Sequence, residues 1–323
     1  EVHETDQMVE IYTSGSMALP KGVRHNHGPV LFRTHTMRRM TGLRPGDEKV
    51  AILPMFWIGG LMMYLMPDLS AGAVTACTER TMSNSRMAMG SVLSEDDLKV
   101  LSAAPKPWWG LGMSETLGPY SWGDDFRAPG YPVCAPMDHF AEGYEIRIAD
   151  AENRPVDDGG IGEMQVRGYP VTPGLHKIER DYSFTPDGYY RTGDMCLVEA
   201  RSEGTRIHFV GRDGDMIKTA GSNVSPAEVE MEMQALEGVH NAYVVGLPDR
   251  ERGQLVCAAV VPREGASLDF AVIETELRSR LSGYKVPRAY VEISRDDVPM
   301  LHSNKVSRRM VADLVAQRLG RES

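Results

Sequence analysis

Near the start of the chain, Tyr12-Thr13-Ser14-Gly15-Ser16-Met17-Ala18-Leu19-Pro20-Lys21-Gly22-Val23 collects hydroxyls, backbone amides around Gly15 and one cation. A loop of that make-up can wrap the β- and γ-phosphates of a nucleotide, with Lys21 offsetting the charge of a departing pyrophosphate. The Gly-Lys-Ser/Thr run of a Walker loop is absent, so the phosphates would need a different cradle. A polar, glycine-containing turn is also the ordinary make-up of a solvated connection. Gly112-Met113-Ser114-Glu115-Thr116 puts a carboxylate among hydroxyls, a hard-oxygen set suited to Mg2+ bridging phosphates. Tyr190-Arg191-Thr192-Gly193-Asp194 follows, with an Asp able to accept both hydroxyls of a ribose. Then come Gly211-Arg212-Asp213-Gly214-Asp215-Met216-Ile217-Lys218 with Gly221, and Asn304-Lys305-Val306-Ser307-Arg308-Arg309. Taken singly, Glu115 reads equally as a solvated turn carboxylate, Asp194 as the side chain closing an Asx turn, and Lys305 as a surface charge.

Taken together and in this order, the segments resemble the adenylate-forming superfamily of acyl-CoA synthetases, nonribosomal adenylation domains and luciferases. Tyr12 to Val23 is similar to its Y-T-S-G-x-x-G-x-P-K-G-V loop, Gly112 to Thr116 to G-M-T-E, and Tyr190 to Asp194 to Y-R-T-G-D. Gly211 to Glu230 is similar to G-R-x-x-D-x-I-K-x-x-G-x-x-x-x-P-x-E-V-E, and Asn304 to Arg309 to G-K-x-x-R-R. The resemblance implies that Thr13, Ser14, Ser16 and Lys21 hold phosphates around Gly15. It implies that Ser114 and Glu115, behind Gly112 and Met113, place Mg2+ and the α-phosphate, with Glu115 as the metal ligand. Asp194 with Arg212 would bind ribose. Lys305 would be the mobile cation that bridges the carboxylate oxygen and the α-phosphate, and Lys218 and Gly221 would lie along the approach of a thiol. The implied activity is that of an acid–thiol ligase using ATP, Mg2+ and coenzyme A. Two alternatives stay open: an adenylating domain that loads a carrier protein, and a shortened, non-catalytic nucleotide-binding protein. Met17 and Ala18 depart from the family loop, as do Leu111 from the aromatic before Gly-Met, Gly214 from the usual hinge residue and Asn304 from the Gly before the lysine.

These residues need elements to hold them. The alternation of short apolar runs with Gly/Pro turns from Met8 to about Val210 predicts an α/β or mixed-sheet domain. Strands are expected at Glu145 to Ala149, Gly162 to Arg167 and Arg206 to Val210. Val50 to Pro67 is long and uncharged enough to suggest a membrane span, but Pro54 and Gly59-Gly60 break it. It reads instead as a strand at Lys49 to Leu53, a turn, and a helix at about Gly60 to Met66. Ser225-Pro226, completed by Glu228, has the form of a capping box opening a helix. Strands at Ala242 to Leu247, Val256 to Pro262 and Ala289 to Ile293, with helices at Phe270 to Leu281 and Ser307 to Leu319, complete a compact unit. The expected fold class is thus α/β and α+β. A large, multi-sheet N-terminal domain spans residues 1–211, and a small mobile C-terminal α+β domain spans 212–323, with a hinge near Asp213-Gly214. Family members carry a sizeable portion before the phosphate loop and more chain through 83–107, so the first domain is expected to be incomplete.

The 323 residues carry a formal net charge of −10 with 42% hydrophobic content, which suits a globular protein and argues against a general nucleic-acid or anionic-membrane surface. Cys77, Cys134, Cys196 and Cys257 have no paired spacing, and the acidic first residues lack a secretion signal, so a reducing cytoplasm is the expected setting. His25-Asn26-His27 has no further ligands at suitable spacing for zinc and reads as the turn into a helix. Trp57 stands where many relatives have His beside the acyl pocket, and Met62, Met63 and Met66 suit either a pliable pocket or helix core. The acid is expected to be apolar (fatty, aromatic or polycyclic) and fatty acid metabolism the setting, with a second copy of the chain as a candidate partner.

Overall fold

The computed structural model describes residues 1–13, 20–51, 53–77, 108–123, 136–300 and 306–321. It divides between Phe209 and Val210 into two compact units.

In the first unit, β1 (Gln7–Thr13) and β2 (Lys21–Asn26) form an antiparallel hairpin in which Ile11 faces Val23 and Thr13 faces Lys21. Side chains two apart share a face, so Thr13 and Lys21 continue the face that buries Ile11 and Val23. Helix α1 (His27–Thr41) leaves β2 directly from an extended Asn26 and stops at Gly42, whose φ of 63° suits the left-handed C-cap. Strands β3 (Glu48–Ala51) and β4 (Val74–Cys77) pair in parallel, which requires a crossover between them. The crossover is α2: an α-turn Ile58–Gly60, a π-helical stretch Leu61–Leu65, and an α-helical end Met66–Ala71. It is longer at both ends than the helix expected at Gly60 to Met66. Proline inside a helix lacks a donor and crowds the preceding turn, and here the ladder widens immediately before Pro67. Gly60 is needed at its start, because a Cβ there would overlap the Pro54 carbonyl. Met62 is fully buried with Ile11, Val30, Ile58 and Leu117, so it serves as core.

Short strands β5 (Trp108–Trp109), β6 (Gly112–Met113), β7 (Gly118–Pro119), β8 (Ser121–Gly123) and β9 (His139–Phe140) make two small antiparallel sheets. A four-stranded sheet follows, in the order β10 (Tyr144–Ala149), β11 (Ile161–Gly168), β12 (Tyr190–Arg201), β13 (Gly204–Arg212). Its three expected strands fall within β10, β11 and β13.

The second unit is built on a five-stranded sheet of order β15-β14-β17-β16, with β18 also on β17. The strands are β14 (Ile217–Thr219), β15 (Ser222–Val224), β16 (Val239–Asp249), β17 (Gly253–Pro262) and β18 (Ala289–Glu292). The helices are α3 (Pro226–Gln234), α4 (Phe270–Arg280) and α5 (Arg308–Arg318). Both faces of β17 are covered. Val256, Ala258 and Val260 pack with residues of α3 and α4, whereas Leu255, Cys257, Ala259 and Val261 pack with Val311 and Val315 of α5. A strand buried on both sides reads as an unbroken apolar run, as Leu255 to Val261 does. Ser225, Asp269 and Ser307 cap the three helices with side-chain oxygens. The capping box expected at Ser225 is only half realised. Ser225 Oγ accepts from the Glu228 amide, but the Glu228 carboxylate turns to Lys285 Nζ at 2.7 Å, since a full charge outbids a backbone amide.

Candidate active site

The ends of the phosphate-loop hairpin are held by the Thr13–Lys21 pair; Ser14, Gly15, Ser16, Met17 and Ala18 lie outside the described residues, as do Asn304, Lys305 and the stretch 83–107. Ser114-Glu115-Thr116 forms a single 3₁₀ turn ended by Leu117 at φ 52°. Gly112 allows the strands flanking that turn to close, because a Cβ would sit 2.5 Å from Pro119 Cα.

Four contacts fix this turn, and a fifth holds Pro119 just beyond it. His25, 0% exposed on β2, reaches the Ser114 carbonyl through Nε2 at 2.7 Å. Burial pushes its pKa down to about 4, against the pull of that carbonyl, so the ring is neutral and Nε2–H donates. Its Nδ1 is buried without a hydrogen-bond partner among the described residues. The Thr172 amide donates to the Glu115 carbonyl at 2.7 Å, while Thr172 Oγ1 donates to the Arg24 carbonyl of β2 at 2.8 Å. Tyr144 Oη donates to the Thr116 carbonyl at 2.5 Å, and burial pushes this phenol up to about 12. Arg33 of α1, fully buried, donates to the Pro119 carbonyl and lies over the Tyr144 ring; burial lowers its pKa. Finally, Tyr190 Oη donates to Glu115 Oε1 at 3.0 Å.

Tyr190 opens β12, and the residues after it interrupt the ladder. Gln165 faces Arg191 and Glu163 faces Met195, so Thr192, Gly193 and Asp194 stand opposite Met164 alone. This is a β-bulge, a device that re-aims side chains. Gly193 takes φ 73° and donates to Glu163 Oε1 at 2.9 Å; Thr192 Oγ1 donates to the Met164 carbonyl and accepts from the Asp194 amide at 3.0 Å. Asp194 is left with its side chain in a buried position. Glu115, Tyr190, Asp194, Thr13 and Lys21 thus belong to the first unit, and the hydrogen bonds above connect Glu115 to the hairpin and to the bulge strand.

Arg212, Lys218 and Gly221 belong to the second unit. Arg212 is exposed at the end of β13, ahead of the 3₁₀ turn Asp213–Asp215 that holds Gly214. Lys218 is exposed on β14, and Ala220-Gly221 form the two-residue turn to β15 with φ of 49° and 77°, the pattern of a type I′ hairpin. Leu111 is buried, its amide bonded to Ser121 Oγ at 3.0 Å. Trp57 is half-buried, edge-on to Phe56, which is 72% exposed. His25 and Thr172 carry no motif signal. His25 falls within the expected turn His25-Asn26-His27, but it lies on β2, and its neighbour Asn26 is the N-cap of the helix.

No group of three His, Cys, Asp or Glu side chains is placed to hold a metal among the described residues. Glu115 offers something else: a half-buried carboxylate with no basic side chain within ion-pair distance among the described residues. One carboxylate beside hydroxyls fits Mg2+, which keeps waters and phosphate oxygens as its other ligands.

The AMP-binding enzyme family matches residues 1–108, and the AMP-binding enzyme C-terminal domain matches residues 228–305. Feruloyl-CoA synthase from an Amycolatopsis species is 30% identical, covering 93% of this chain and 68% of its own length. Indoleacetate–CoA ligase from Aromatoleum aromaticum is 27% identical, covering 95% of this chain and 67% of its own. The crystal structure of ATP-bound MatB from Rhodopseudomonas palustris matches with a TM-score of 0.78 over 97% of this chain and 69% of that one, at 22% identity; at that identity the likeness concerns the fold.

Proposed function

The chain belongs to the AMP-binding enzyme family, and from that premise we propose that it is an acid–thiol ligase joining a carboxylic acid to coenzyme A through an acyl-adenylate. The observation that carries this reading is the hydrogen-bonded connection of the Glu115 turn to both the phosphate-loop hairpin and the strand bearing Asp194. In the first step a carboxylate oxygen bonds to the α-phosphorus of ATP and the bond to pyrophosphate breaks. In the second, the thiol sulfur bonds to the acyl carbon, AMP leaves with the C–O bonding pair, and the thiol proton passes to solvent.

We assign Thr13, Ser14, Ser16 and Lys21, around Gly15, to the β- and γ-phosphates, and Asp194 with Arg212 to ribose. Ser114 and Glu115, held by Gly112 and Met113, would hold Mg2+ against the phosphates; the ion supplies charge neutralisation there. We assign Lys305 to the meeting of carboxylate and α-phosphate, where a late-arriving cation lowers repulsion as charge builds up, and Lys218 and Gly221 to the path of the thiol. Rotation of residues 212–323 about Asp213-Gly214 between the two steps belongs to the same proposal. An apolar, aromatic acid is favoured by the names of the relatives, one for feruloyl-CoA and one for indoleacetate. A reducing cytoplasm suits the buried side chains of Cys196 and Cys257, which form no disulfide among the described residues; no described helix is long and apolar enough to cross a membrane.

The test is acid-dependent exchange of labelled pyrophosphate into ATP across aromatic and fatty acids, followed by thioester formation with coenzyme A. Exchange with at least one acid, reduced at least a hundredfold in Glu115→Ala and Lys305→Ala, is the expected result. Folded protein that binds ATP but exchanges with no acid would overturn the ligase reading.

A further inference from the structure

Two adjacent tyrosines, Tyr189 just ahead of β12 and Tyr190 opening it, each donate to a carboxylate, and their surroundings differ. Tyr189 Oη donates to Glu145, and both groups sit under Arg147 and Arg167, whose guanidiniums lie 4.0 and 4.5 Å from the ring centre. Arg167 also pairs with Glu145 at 2.6 Å, so that carboxylate is electrically complete. Tyr190 faces the other way. It is 6% exposed, packed edge-on against Phe184 at 5.2 Å, and the Phe184 ring is covered by Arg180 at 3.6 Å. Its hydroxyl meets Glu115 Oε1, and among the described residues no donor reaches Oε2. A neutral donor orients a carboxylate without cancelling its charge, so Glu115 is aimed yet still lacks a cation.

We infer that Tyr190 is the positioning residue of Glu115: its phenol holds Oε1 and so sets the direction in which Oε2 meets the metal that accompanies the nucleotide. The backbone of the same turn is fixed independently, through Ser114 by His25 and through Glu115 by Thr172. That leaves the rotation of the carboxylate as the one freedom Tyr190 removes. Because Tyr190 opens the strand whose bulge carries Asp194, it also links the direction of the metal ligand to the place assigned to ribose. Partners of this kind are worth about 10- to 100-fold in metal affinity.

The inference rests on the nucleotide-binding part of the ligase reading, and its test does not require turnover. The affinity of the full chain for α,β-methylene-ATP is measured by calorimetry with and without Mn2+, and the ratio of the two is the readout. Tyr190→Phe is expected to lower that ratio about tenfold with the metal-free affinity unchanged. Tyr189→Phe, which removes the same kind of bond on the other face, is expected to leave the ratio intact. In a Glu115→Gln background, Tyr190→Phe should add nothing. A ratio within twofold of wild type in folded Tyr190→Phe overturns the inference. So does a loss that persists without the Glu115 charge, or a wild-type protein whose nucleotide affinity ignores Mn2+. Metal-enhanced binding that depends on Tyr190, with no acid-dependent exchange, would instead sink the ligase reading and leave this inference standing.

Discussion

A histidine whose ring is shut away from water resists taking a proton, and His25 carries that resistance into the stability of the whole first unit. Its folded pKa lies near 4, whereas an exposed histidine titrates near 6.5. Above pH 6.5 both the folded and unfolded chains hold a neutral ring and nothing is lost. As pH falls from there toward 4, the unfolded chain takes up the proton that the folded chain refuses, and stability drops by up to about 3 kcal/mol. Urea titrations of wild type and His25→Gln should therefore diverge between pH 7 and pH 4.5, with the wild type losing more. Backbone conformation gives a second residue-level outcome. Ala220 is held at φ 49°, a region that costs a residue with a Cβ about 1 kcal/mol, so Ala220→Gly should raise the melting temperature by a few degrees. Gly112→Ala should do the opposite, by about 2 kcal/mol or more, since its Cβ would meet Pro119 backbone that has nowhere to move. Residue types such as Glu115 and Asp194 were legible as candidates because their neighbours repeat a known pattern. His25 and Thr172 were not, because a hydrogen bond to a distant carbonyl leaves no trace in local spacing.

The elements were easiest to read where two periodicities agree. Three of the five strands of the second unit, and its helices, lie within a few residues of expectation, since the alternating faces of β16 and the doubly buried run of β17 each meet helices with capped starts. The three-residue strands β14 and β15 are too short to show a period and were not expected. The bulge in β12 was invisible: Thr192-Gly193 reads as a turn, and only pairing with β11 shows that the strand continues past it. The length of α2 was missed because Pro67 normally ends a helix, and the π-turn that admits it has no compositional mark. Glu230 on α3 is another case. It is buried, accepts from the Val244 amide at 2.8 Å, and is paired with Arg308 of α5 at 2.6 Å, which also reaches the Val244 carbonyl. Burial works against the Arg308 charge, and Glu230 and Asp215 outweigh it, holding the guanidinium charged above its usual range. Arg308→Leu would strand the Glu230 carboxylate and should cost about 3–5 kcal/mol in chemical denaturation. Restoring an apolar match with Glu230→Leu should recover much of that loss.

At the scale of the molecule, motif order carried the family, whereas the layout of the first unit did not follow from its short, poorly periodic strands. The second unit has a core on each face of its sheet, and both cores are made of its own residues. A fragment beginning at Val210 should accordingly fold by itself, with dispersed amide resonances and a cooperative thermal transition. A fragment that stays unfolded would show that its two cores are too small without the remainder of the chain.

The Glu230–Arg308 pair has one more effect, on what the protein does at high concentration. β16 is the outermost strand of its sheet, and an outer strand offers free amides and carbonyls to any extended peptide. At Val244 both of those groups are already occupied by the pair. The two side chains therefore act as a stopper against sheet growth between molecules, and a variant lacking both should associate on concentration even where its stability has been restored.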